Sequence, residues 1–180
     1  MKAIHYMKAL ADAARASDVD AIDEAVTIIR KAVDTGKTVF TCGNGGSAST
    51  ASHFVTDWAK MRLINRGVGF KAFCLSDNIG MLTAYANDLS YDNVFDHSLK
   101  NYAKPGDVLI LISGSGNSQN VINAARMASK LNVTSIAIVG FDGGKLRSIC
   151  DHCVHYKVND MQLAEDLHLS FGHIVMRALC

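Results

Sequence analysis

The groups with the most chemistry in this chain are imidazoles and carboxylates set at helical spacing. His53 and Asp57 stand four residues apart in a helix-like run, which puts both side chains on one face. Glu165, Asp166, His168 and His173 gather in a second helix-like run near the C-terminus. Glu165 and His173 are eight residues apart, a little over two turns, and project to roughly the same side. Imidazoles and carboxylates from two helices could bind a divalent metal such as zinc, or act as acid and base. Each pair taken alone reads equally well as a solvated carboxylate beside a surface histidine. Position favours chemistry, because His53 and Asp57 lie about one to three turns beyond a glycine-rich loop.

That loop, Cys42-Gly43-Asn44-Gly45-Gly46-Ser47-Ala48-Ser49, follows the β-like run 37–41. A second, Ser113-Gly114-Ser115-Gly116-Asn117-Ser118, follows the apolar run 107–112. A strand ending in glycines lets the backbone turn sharply and leaves N–H groups free, and the helix start that follows adds partial positive charge. The hydroxyls of Ser47, Ser113, Ser115 and Ser118 could donate further hydrogen bonds. Two such loops in one small chain predict a phosphorylated ligand held between them. The first loop also satisfies the dinucleotide pattern G-x-G-x-x-A, but that pattern wants an acidic residue about twenty positions later. Asp77 is the only candidate after the next strand and comes too late, and a dinucleotide would leave residues 113–118 without a role. Simpler alternatives are a tight turn with a serine N-cap for the second loop, and a plain turn for Asp142-Gly143-Gly144. Lys60 and Arg62 read as solvent-facing, and Trp58 and the methionines as packing.

The elements that must position these groups alternate. Two helices are predicted over the first 35 residues, with Ser17-Asp18 capping the second and Gly36 ending it. β-like runs follow at 38–42, 71–75, 108–112, 134–139 and 153–158, and helical patterns at 47–61, 79–86, 118–130, 144–149 and 162–179. Several strands are continuously apolar, as when helices cover both faces of a parallel sheet. The expected architecture is α/β: a three-layer αβα sandwich on a five-stranded parallel sheet, with an N-terminal helix pair. Residues 1–180 form one domain, since no linker, repeat or low-complexity tract interrupts them. Ligands of such sheets bind at the carboxyl ends of the strands, where both loops fall, together with Ser76-Asp77 and Asn87-Asp88.

Composition narrows the function further. The chain has 180 residues, 49% hydrophobic and 19% charged, and a formal charge of +1, which argues against nucleic acid as a partner. No run is apolar and long enough to span a bilayer, and the first ten residues lack the apolar core of a secretory signal, so the expected compartment is the cytoplasm. Five cysteines suit buried thiols at Cys42 and Cys74 better than a disulfide framework. Cys150-x-x-Cys153 with His155 is a weak metal or redox motif, lacking a second pair.

Over nearly its whole length the chain resembles the sugar isomerase (SIS) domain family, and within it the phosphoheptose isomerases. The markers are Cys42-Gly-Asn-Gly-Gly-Ser47, His53 with Asp57, Ala86-Asn87-Asp88, Pro105-Gly-Asp-Val-Leu109, Ser113-Gly-Ser-Gly-Asn-Ser118, Asp142-Gly-Gly144, and Glu165 with His173. The resemblance implies a flavodoxin-like SIS fold and an aldose–ketose isomerase converting sedoheptulose 7-phosphate, through an enediol(ate), to D-glycero-D-manno-heptose 7-phosphate for bacterial surface polysaccharide. It implies a phosphate site at Ser113, Gly114, Ser115 and Ser118, and sugar contacts from Asn44, Gly45, Gly46, Ser47, Asn87 and Asp88. It implies catalysis by Asp57, His173 and Glu165, and a divalent metal, zinc, held by His53, Asp57, Glu165 and His173. It further implies a homotetramer with active sites at subunit interfaces, the N-terminal helices (residues 1–35) serving that assembly and residues 36–180 forming the core. The family usually has glutamate at the position of Asp57 and glutamine at that of Glu165. The exchange could preserve the site with its carboxylate relocated, retune it for another sugar phosphate, or mark a non-catalytic phosphosugar-binding scaffold or regulator.

Overall fold

Strand β3 (Val108–Ser113) shows how the sheet is buried. Val108, Ile110 and Ile112 pack into one hydrophobic core and Leu109 and Leu111 into another, the two-residue alternation of a strand covered on both faces. A computed structural model describes residues 2–180. Five parallel strands, β1 (Val39–Gly43), β2 (Ala72–Cys74), β3, β4 (Thr134–Val139) and β5 (His152–His155), lie in the order β2-β1-β3-β4-β5. This is the flavodoxin-like order, whose direction of winding reverses between β1 and β3. Gly43 pairs with Ile112 across that boundary, so the loops leaving β1 and β3 emerge side by side.

One face of the sheet is covered by α2 (Val19–Asp34), α3 (Gly46–Arg66) and α8 (Met161–Leu179). The other carries α5 (Val94–Tyr102), α6 (Gln119–Lys130) and the short α7 (Leu146–Ile149), with α4 (Ile79–Asp88) at its margin. Local chemistry sets the helix ends as expected. The Asp18 carboxylate accepts the Ala21 N–H at 3.1 Å to start α2, and Gly36, at φ +70°, follows its end. The two N-terminal helices differ in kind. α2 buries Ile22, Ala25, Val26, Ile29 and Ala32 and is part of the sandwich. α1 (Ala3–Arg15) has no fully buried residue; Leu10 and Ala13 pack against the core, and a 2.6 Å hydrogen bond from Tyr6 Oη to Asp166 ties it to α8.

One helix is additional to those expected and one strand is shorter. Helix α5 is not foreshadowed by its polar sequence, and β5 ends at His155 rather than at residue 158. The segment after β5 turns away from the ladder, where Val158 O accepts the Phe141 N–H at 3.0 Å. Among the described residues no helix is long and apolar enough to cross a membrane.

Candidate active site

The second loop is held open by its own backbone and by the turn that follows β4. The buried Ser113 Oγ accepts the Gly116 N–H at 3.1 Å, and Ser115 Oγ accepts the Asn117 N–H at 3.2 Å. Gly116 has φ +66°, and a Cβ there would stand 2.1 Å from Gly143 O. Only glycine fits such a crossing. The 142–146 segment then clamps the loop: Lys145 N–H donates to Asn117 Oδ1 and Leu146 N–H to Gly116 O, both at 3.1 Å. Asp142-Gly143-Gly144 is therefore more than a turn; it buttresses the serines. Ser118 occupies the N-cap position of α6, yet its hydroxyl makes no capping bond and stays available.

Between the loops lies a cavity of about 150 Å³ lined by Ser47, Ser113, Ser115 and Ser118, with Asn44, Gly114, Met161 and Glu165. The hydroxyls and the N-terminus of α3, which has no side-chain cap, give it the donors an anion needs. Glu165 enters from α8 because position 46 has no side chain: a Cβ on Gly46 would lie 2.7 Å from Glu165 Oε1.

Farther along the α3–α8 contact, three ionisable side chains meet. His53 Nε2 lies 3.2 Å from Asp57 Oδ2 and 3.4 Å from His173 Nε2, and His173 Nε2 lies 3.9 Å from Asp57 Oδ2. Lys60 Nζ approaches the other Asp57 oxygen at 3.6 Å. The two imidazoles are about half exposed, whereas Asp57 is largely covered. The helices come this close because α8 has glycine at 172, against the Phe54 ring, and because Trp58 Nε1–H donates to Gly172 O at 2.9 Å. The ligand atoms of the trio all lie within 4.8 Å of one another. A tetrahedral ion with bonds of about 2.0–2.1 Å needs donor separations of roughly 3.3 Å, so two imidazoles and a carboxylate at these spacings suit a divalent ion with an open position.

Glu165 stands apart from this trio, two turns nearer the start of α8, with the serines rather than with His53. Asn87 and Asp88 end α4 as exposed residues, hydrogen-bonded to each other at 2.9 Å, and do not line the serine cavity of the single chain. Asp77 borders a shallow groove that also touches Ser49, Ser52 and His53. His168 lies off the site, buried beside Tyr156 at a ring separation of 5.8 Å, and burial pulls its pKa down to about 4. Burial also pushes the Cys150 thiol up to about 12 and raises that of Cys153, which leaves both as protonated thiols. Two residues with no signal in their local sequence, Asn120 and Tyr91, hydrogen-bond to Asn44 at the cavity wall.

Comparison with known proteins finds clear relatives. A family model described as SIS domain matches residues 4–140. Phosphoheptose isomerase from Clostridium acetobutylicum is 37% identical over 158 residues, covering 87% of this chain and 80% of that protein. Phosphoheptose isomerase from Mycobacterium tuberculosis is 40% identical over 141 residues, covering 78% and 71% respectively. The structure of phosphoheptose isomerase GmhA from Neisseria gonorrhoeae superposes with a TM-score of 0.90 at 28% identity, covering 98% of this chain and 95% of that one.

Proposed function

Since the chain belongs to the SIS domain family, we propose that it is an aldose–ketose isomerase that converts sedoheptulose 7-phosphate to D-glycero-D-manno-heptose 7-phosphate. One observation carries the reading: an anion-suited cavity of serines and a trio of acid–base groups share the α3–α8 framework beside the β1/β3 boundary. Ser113, Ser115 and Ser118 bind the phosphate, and that remote binding energy orients the reacting end of the sugar. The proton alpha to the ketose carbonyl, on C1, goes to a carboxylate. Asp57 stands with His173 in the trio, whereas Glu165 lines the serine cavity two turns nearer the start of α8, so Asp57 takes the proton and Glu165 forms a wall of the phosphate end. His173 moves a proton between the C1 and C2 oxygens. His53, Asp57 and His173 would hold a divalent ion, zinc by donor type, whose charge stabilises negative charge developing on the sugar oxygens.

The assembly we infer is a homotetramer in the cytoplasm. Its support is α1, which leaves Ile4 and Met7 more than half exposed on a helix that buries nothing fully in its own chain. In such an assembly Asn87 and Asp88 reach a site only from a neighbouring subunit. The product would enter bacterial surface-polysaccharide synthesis. The gathered trio favours catalysis over a scaffold, which would have no use for it. Incubating the purified protein and zinc with sedoheptulose 7-phosphate should yield an aldoheptose phosphate resolvable by chromatography. No product from this substrate, alongside turnover of a pentose or hexose phosphate, would reassign the substrate, and no turnover of any of them would refute an isomerase.

A further inference from the structure

We propose that Asn120 and Tyr91 are positioning residues that lock the Asn44 amide so that it offers a single N–H donor to a ligand oxygen in the serine cavity. Asn120 is only 2% exposed, in the first turn of α6, and its side chain crosses the β1/β3 boundary to pair head-to-tail with Asn44. Asn44 Nδ2 donates to Asn120 Oδ1 and Asn120 Nδ2 donates to Asn44 Oδ1, both at 2.9 Å. Such a pair would be satisfied equally with both amides flipped, so something must set its polarity. The Val121 backbone N–H does so. It can only donate, and it lies 2.9 Å from the Asn120 side chain, so the atom facing it is Oδ1. Asn120 Nδ2 then necessarily faces Asn44, whose Oδ1 must accept.

Tyr91 Oη donates to the same Asn44 Oδ1 at 2.8 Å. Both lone pairs of that oxygen are thereby used, and one Nδ2 proton is spent on Asn120. One proton remains, on a residue that lines the serine cavity. Asn44 is thus a donor and never an acceptor toward the ligand, which selects a phosphate or carbonyl-type oxygen and rejects a group that can only donate. The first loop is thereby tied to the helix that the second loop opens.

The ligand's identity rests on the isomerase reading; the lock itself does not, and the two are tested separately. Side-chain ¹⁵N relaxation of the Asn44 amide needs no substrate. It should show a rigid group in the wild type and a mobile one in Asn120→Leu and in Tyr91→Phe. Tyr91 is half exposed, so the second variant keeps the test alive if the first does not fold. With sedoheptulose 7-phosphate, Asn120→Leu should raise KM roughly 10- to 100-fold and Tyr91→Phe about 3- to 10-fold, with kcat nearly kept, since a bond at the phosphate end is made equally in ground and transition states. A merely structural role would instead lower the active fraction, and so the apparent kcat, at constant KM. In a protein already carrying Asn44→Ala, Asn120→Leu should raise KM by less than about twofold further. An Asn44 amide equally rigid in all three proteins, or KM effects that multiply in full, would overturn the lock. Absent turnover with a mobile amide in the variants would leave the lock standing and refute the isomerase.

Discussion

Substituting Gly172 by alanine perturbs the one close approach on which the imidazole–carboxylate trio depends. The added Cβ would lie 2.1 and 2.2 Å from two ring carbons of Phe54. Carbon atoms rest at about 3.5–4.0 Å, so ring and helix must part by roughly 1.5 Å. The ring has nowhere to go: Phe54 is fully buried, stacked on Trp58 at 5.0 Å and tilted against Phe171 at 6.2 Å. Helix α8 must therefore move, breaking the bond from Trp58 to Gly172 O and carrying His173 away from His53. Overpacking costs about 1–3 kcal/mol. Against this, alanine in place of glycine stabilises a helix by about 1 kcal/mol. The net loss of up to about 2 kcal/mol corresponds to a fall in Tm of at most about 8 °C for a chain of this size. Function should suffer more than stability, because misplacing a catalytic group by about 1 Å costs about 100-fold in rate. Calorimetric unfolding, zinc titration and turnover on Gly172→Ala should show a modest fall in Tm, zinc affinity down by at least about 10-fold and kcat down by about 100-fold. Zinc affinity and kcat within twofold of the wild type would refute the claim that this contact sets the site.

Other expectations bear on the remaining parts. Asp57→Asn should lower kcat by at least about 100-fold, whereas Glu165→Gln should keep or improve phosphosugar affinity with a smaller kcat loss, measured by steady-state kinetics and calorimetry; a larger kcat loss in Glu165→Gln than in Asp57→Asn would move the base to Glu165. Gly116→Ala forces a side chain into Gly143 O at positive φ, so phosphosugar affinity should fall at least about 10-fold, and unchanged affinity would mean that the buttress does not shape the phosphate site. His168 binds its proton at about 4 when folded and near 6.5 when unfolded, so the unfolded chain takes up the proton first as pH falls. Stability should therefore drop by about 2 kcal/mol between pH 7 and pH 5 on account of this residue. His168→Leu should reduce that dependence by the same amount in chemical denaturation, and an identical pH dependence would show that His168 is not buried neutral.

Much of this molecule can be read from local spacing. Continuous apolar runs identified the parallel strands, and the residues following β1 and β3 identified the loops that flank the cavity. His53 and Asp57 were legible because four residues make about one turn. Glu165 and His173 were legible only in part. Eight residues also carry a side chain about 12 Å along the axis and about 80° around it, which is how one helix can serve two regions. Helix α5 escaped because its buried set, Val94, Phe95, Asp96, Ser98 and Leu99, includes polar residues, Asp96 being paired with His97 at 3.1 Å. The partnership of Asn44 with Asn120, 76 residues later, depends on β1 and β3 being neighbours, and no local pattern encodes strand order. The core role of α2 was hidden for the same reason, since an amphipathic helix presents the same pattern to its own sheet or to another subunit.

The most direct measurement of the isomerase reading is the fate of hydrogen at C1 and C2. Sedoheptulose 7-phosphate incubated with the zinc-supplied protein in deuterium oxide should give an aldoheptose 7-phosphate carrying deuterium at C2, seen by NMR, with the label lost in Asp57→Asn. An unlabelled sugar, with neither product nor exchange into C1 of the recovered ketose, would contradict proton removal at this site.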